Sequence, residues 1–121
     1  MKHYLLLLAF TLLLGSCTDT DYISNAPELE INVSDTDGIL IEYASVSLFD
    51  NRDDWDEKTN KIDSLTTDSL GHVAFENLEE IQYYVYVEKD DLNNTYGTIA
   101  TSDSLQVDEI RVLNIQIESI Q

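Results

Sequence analysis

Five carboxylates fall within eight residues at Asp50-Asn51-Arg52-Asp53-Asp54-Trp55-Asp56-Glu57, and oxygen ligands at that density suit a hard cation such as Ca2+. Asp50, Asp53, Asp54 and Asp56 are the candidate ligands. The spacing lacks the central glycine and closing glutamate of an EF-hand loop, so the competing expectation is a solvated acidic loop that adds solubility. Trp55, the only tryptophan, stands in the same run. It is either a binding aromatic or a plug over one end of the fold, and a ring that size gains more by burial. Tyr84 and Tyr86 are the second aromatic candidates: on an outward face they would stack on a sugar or a partner, unless a loop or sheet covers them.

Catalytic sets are thin. Downstream of residue 16 the chain carries one histidine, His72, and no Gly-x-Ser-x-Gly elbow, so a nucleophile and base pair has little support despite many serines. No Cys/His set has zinc spacing. Neither a catalytic residue nor a cofactor is expected. The formal charge is −18, a field that repels phosphate backbones and anionic lipid, so nucleic acid is excluded as a partner.

The address is written at the N-terminus. Lys2 precedes an apolar run over residues 4–14, which ends in Gly15-Ser16-Cys17, the order of a secretory signal. Eleven residues are too few for the ~20 that cross a bilayer as a helix. Leu14-Gly15-Ser16-Cys17 resembles the bacterial lipobox, which implies cleavage before Cys17 and lipidation of that cysteine. Several acyl chains on one residue anchor stably where one binds marginally. Cleavage removes Lys2 and no acid, leaving −19 on the side chains. Thr18-Asp19-Thr20-Asp21 then opens a polar tether, and acids directly after the cysteine resemble the surface-export signal of Bacteroidetes lipoproteins. The expected place is the outer membrane, at the cell surface or otherwise on its periplasmic face. Since Cys17 is the only cysteine, no internal disulfide can form, and stability must come from packing.

The elements that would carry these residues have a period of two. Leu29, Ile31 and Val33 alternate with Glu30, Asn32 and Ser34, the pattern of a half-buried strand. Asp37-Gly38 supplies a turn, and Ala44, Val46 and Leu48 then alternate with Ser45 and Ser47, which predicts a hairpin of these two strands. Residues 50–61 read as a long charged loop. Short strands follow at 62–67, around Val73 and Phe75, and at 82–89, where both faces are partly apolar as in a central strand. Residues 90–94 read as a polar loop, 95–101 as an edge strand, and Leu113, Ile115 and Ile117 as the apolar face of the last strand. Pro27 stands before the first strand, where it breaks no ladder. The expectation is an all-β, single seven-stranded Greek-key sandwich of prealbumin-like or immunoglobulin-like type. It would occupy residues 28–121, after a signal peptide at 1–16 and a lipidated tether at 17–27.

Four stretches in order carry a family resemblance: Ile31-Asn32-Val33 leading to Asp37-Gly38; Ala44-Ser45-Val46-Ser47-Leu48; Thr67-Asp68-Ser69-Leu70-Gly71-His72-Val73-Ala74-Phe75; and Leu78 with Tyr83-Tyr84-Val85-Tyr86-Val87. They resemble the carboxypeptidase-regulatory-like and transthyretin-like domains, including the Cna-protein B-type repeats. The resemblance implies a sandwich that serves as a binding or structural module. Transthyretin-like hydrolases of 5-hydroxyisourate need a histidine cluster and a terminal Tyr-Arg-Gly-Ser, and this chain offers His72 alone and Glu118-Ser119-Ile120-Gln121. The B-type repeats place an isopeptide lysine on the first strand, where this chain has none. The expected function is therefore a non-enzymatic, membrane-anchored module meeting an envelope protein or polysaccharide. The alternatives are a calcium-dependent adhesion or glycan-binding domain and a small hydrolase of transthyretin type.

Overall fold

A computed structural model describes residues 23–119. Cys17, the signal peptide and most of the tether lie outside the described residues. The described residues fold into strands β1 (Glu28–Ser34), β2 (Ser45–Phe49), β3 (Asp63–Thr66), β4 (His72–Phe75), β5 (Tyr84–Lys89), β6 (Leu92–Asn93), β7 (Ile110–Gln116) and β8 (Glu118–Ser119), with one short helix among them, α1 (Arg52–Glu57). Two sheets form, in the orders β4-β1-β7 and β3-β2-β5-β6-β8. Only β2–β3 and β5–β6 join consecutive neighbours; every other connection changes sheet, as in a Greek-key sandwich.

Alternation decides which side chains meet between the sheets. Leu29, Ile31 and Val33 from β1 are fully buried, as are Val46 and Leu48 from β2 and Val85 and Val87 from β5. They form one core with Val73, Phe75, Ile115 and Ile117. Burying such side chains is the main stabilising term, at roughly 25 cal/mol per Å2 of apolar surface. Leu105, from the loop before β7, enters the same core, and its N–H donates to the Ile81 carbonyl at 3.0 Å.

Four expectations are corrected. β1 and β2 do not form a hairpin: β1 already has antiparallel β4 on one side and parallel β7 on the other. The returning chain therefore makes a single bridge, Ser34 to Leu40, and β2 starts in the opposite sheet. Residues 50–61 are not all loop, because α1 lies within them. Residues 95–101 form no strand of their own; Ala100 bridges Tyr84, and Ile99 and Thr101 bond to Val85 and Tyr83. Residues 90–94 are not all loop either, because the short β6 lies within them and pairs with the end of β5.

Candidate binding surfaces

The acidic run of residues 50–57 is used locally. Asn51 caps α1: its Oδ1 accepts from the Asp54 N–H at 2.8 Å, and its Nδ2 donates to Asp54 Oδ2 at 2.8 Å and Asp50 Oδ1 at 2.6 Å. Asp53 and Asp54 stand in the first turn, where the helix dipole favours negative charge. Asp56 pairs with Arg52 one turn back at 3.0 Å. Asp50 and Asp54 thus meet at the Asn51 amide, while Asp56 turns to Arg52. Among the described residues no three His, Cys, Asp or Glu side chains gather in a geometry that would hold a metal ion.

Trp55 is where the sequence left two readings open. It is 4% exposed, so its ring is no free stacking platform. It covers the outer face of the five-stranded sheet, not an end of the sandwich: Phe49 and Trp55 are both buried yet stand outside the core between the sheets. Its indole N–H donates to the Val85 carbonyl at 2.9 Å. Tyr86 meets it edge-on, with ring centroids 6.4 Å apart. The Lys58 amine lies 3.8 Å from the Trp55 ring and 4.4 Å from that of Tyr86, a cation–π arrangement. Burial holds the Lys58 amine below its ordinary pKa and raises the Tyr86 phenol, with the Glu88 carboxylate adding to the second effect. Tyr84 shares this outer face and is half-buried.

His72 stands on the outer face of the three-stranded sheet. Its Nε2 is 2.9 Å from Glu30 Oε1, and its Nδ1 is 4.0 Å from Asp68 Oδ2. These are groups on an open sheet face, not in a cleft. The two described clefts lie elsewhere, each near 250 Å3. One sits among Asn25, Glu28, Glu76 and Glu109 where β1 and β7 begin, the other among Ile62, Leu78, Ile81 and Tyr83. Beside the first, Arg111 bonds to Glu109 and, at 2.8 Å, to Asp103. The pairing raises the guanidinium pKa and lowers that of Glu109.

Gly38 and Gly71 stand in turns at positive φ and Asp68 caps its own turn, as the sequence led one to expect. The loops after β1 and β3 are copies of a single design, Asp35-Thr36-Asp37-Gly38-Ile39 and Asp68-Ser69-Leu70-Gly71-His72. In each, the aspartate Oδ1 accepts from the N–H groups two and four residues on, at 2.9 and 3.0 Å. In each, the glycine N–H donates to the aspartate carbonyl at 3.0 Å, with φ at +82° in Gly38 and +73° in Gly71. Those backbone donors hold the Asp68 carboxyl below its ordinary value of 3.8. The shared Asp-x-x-Gly spacing was the available signal.

Thr67 ties the two loops together. It is buried; its hydroxyl donates to the Ile41 carbonyl at 2.7 Å and accepts from the Ala44 N–H at 2.8 Å, while its carbonyl accepts from the Tyr43 N–H at 3.1 Å. Side by side, the loops present Ile39, Leu40, Tyr43 and Leu70 at 61%, 51%, 66% and 66% exposure.

No family model matches this sequence, and no curated protein matches it. Among solved structures, catechol 1,2-dioxygenase from Acinetobacter radioresistens is similar at 11% identity and a TM-score of 0.52, over 81% of this chain and 53% of the enzyme. A single-residue variant of that enzyme gives 0.51 with the same identity and coverage. A Pseudomonas aeruginosa protein proposed to bind carbohydrate aligns over 82% of this chain and 92% of its own, at 10% identity and a TM-score of 0.46. The chain spans about half the length of the dioxygenases it resembles. At this identity the likeness is one of fold, and the fold is a β-sandwich.

Proposed function

We propose that the chain is a lipid-anchored envelope protein whose sandwich works as a non-enzymatic binding or structural module. Leu14-Gly15-Ser16-Cys17, closing an apolar run of signal length, is the observation that carries this reading. The position of the fold supports it. The chain is tied into the sandwich at Asn25, whose N–H donates to Asp108 Oδ1 at 2.7 Å and whose carbonyl accepts from the Asp108 N–H at 2.8 Å. Eight residues from Cys17 reach at most about 30 Å, so an anchor there holds the sandwich against the membrane by the end where β1 and β7 start. The dioxygenases' reaction is not carried over, because the likeness to them is of fold alone.

Cys17→Ala is the test. It should move the protein from the detergent phase to the aqueous phase and leave an uncleaved precursor. Unchanged partitioning in detergent would overturn the anchor.

A further inference from the structure

We propose that the end of the sandwich formed by the two matched loops is a docking surface for a protein partner whose contact face is apolar at its centre and basic at its rim. The inference deepens the binding-module reading and rests on it.

Four large apolar side chains stand exposed on loops that are stiffly held, which separates them from the apolar residues scattered along the edge strands β3 and β7. The stiffness has identifiable sources: two aspartate-capped turns, the buried Thr67 between them, and Gly71, where any Cβ would stand 2.6 Å from the Val33 carbonyl oxygen. Tyr43 is held at φ +60°, a conformation a bulky residue adopts at some expense and keeps only when its surroundings fix it. Residues already ordered lose little entropy when a partner covers them.

Charge selects the occupant. Asp35, Asp37, Glu42 and Asp68 flank the apolar residues within the same loops and outnumber Lys89, whose amine lies 5.7 Å from the Tyr43 ring, on a chain of net charge −18. A second copy would bring the same acids face to face, and anionic lipid would be repelled. The chain's own anchor is also at the other end, since β1 runs from the tether toward these loops. A cationic protein face is steered in and complements the rim.

The test uses the full-length lipidated protein in its own cells, with a photo-crosslinking residue placed at Ile39 or Leu70 and, as control, at Asp53 on α1. A protein adduct should form from both loop positions and not from the control, and the crosslinked peptide of the adduct should be rich in Lys and Arg. With that partner purified, Leu40→Ser combined with Leu70→Ser should weaken binding by about tenfold or more without changing the melting temperature. Asp37→Asn combined with Glu42→Gln should flatten the salt dependence of binding. Adducts with a second copy, with lipid or polysaccharide, or with an acidic protein face would overturn the proposal, as would no adduct from either loop position. Failure of the anchor is separately visible: wild-type protein would then leave the detergent phase while the loop adducts persisted.

Discussion

Gly38 and Gly71 occupy the same place in two turns of one design, yet their surroundings differ. A Cβ on Gly38 would meet nothing within 4 Å, whereas on Gly71 it would stand 2.6 Å from the Val33 carbonyl oxygen and 3.1 Å from the Ile41 nitrogen. Gly38→Ala should therefore cost only the strain of positive φ, about 1–2 kcal/mol. Gly71→Ala adds a backbone clash and should cost about 3 kcal/mol or more. Denaturant unfolding of the two variants checks this, and equal losses would mean that the backbone at Val33 and Ile41 yields easily. The Asp-x-x-Gly spacing made both turns legible. Which glycine is hemmed in was not, because that depends on residues 41 and 33, brought in by the fold. The same holds for Trp55, whose burial was the favoured reading but whose cover, the outer sheet face, no local pattern names.

Helix α1 shows why an element of this length hides in a sequence. Six residues make fewer than two turns, and only one of them, Trp55, is buried, so no apolar period exists to be read. The helix docks through Trp55, against the Tyr86 ring and the Val85 carbonyl. Trp55→Ala should cost about 3–5 kcal/mol and release the amide protons of residues 55–59 to fast hydrogen exchange. Asn51→Ala removes only a cap and should cost about 1 kcal/mol. A Trp55→Ala loss below that of Asn51→Ala would show that the helix stands without its tryptophan. The strands read differently: alternation in β1, β2, β5 and β7 identified their inward faces. It could not identify neighbours, since a strand's period fixes a side and not a partner, and the expected β1–β2 hairpin failed for that reason.

At the scale of the molecule, 24 acids against 6 basic side chains leave the folded state repelling itself. Raising monovalent salt toward 0.15 M shortens the screening length to about 8 Å and should raise the melting temperature. Because Asp50 and Asp54 are taken up by the Asn51 amide and Asp56 by Arg52, Ca2+ and Mg2+ at equal ionic strength should act alike and without saturation. A saturable, calcium-specific rise in the millimolar range would restore that segment as a metal site. The position of β1 bears on how the domain is made. Its neighbour β7 lies far along the chain, so that Asn32 and Asn114, whose side chains bond at 3.1 Å, are 82 residues apart. A chain released from its N-terminus onward must expose residues 35–109 before the three-stranded sheet can close, and until then β1 keeps one edge without its partner strand. Such long-range pairing folds slowly. The domain therefore spends its early life as a client for whatever escorts unfolded chains, and a truncated product ending before Ile110 leaves that strand permanently open to aggregation.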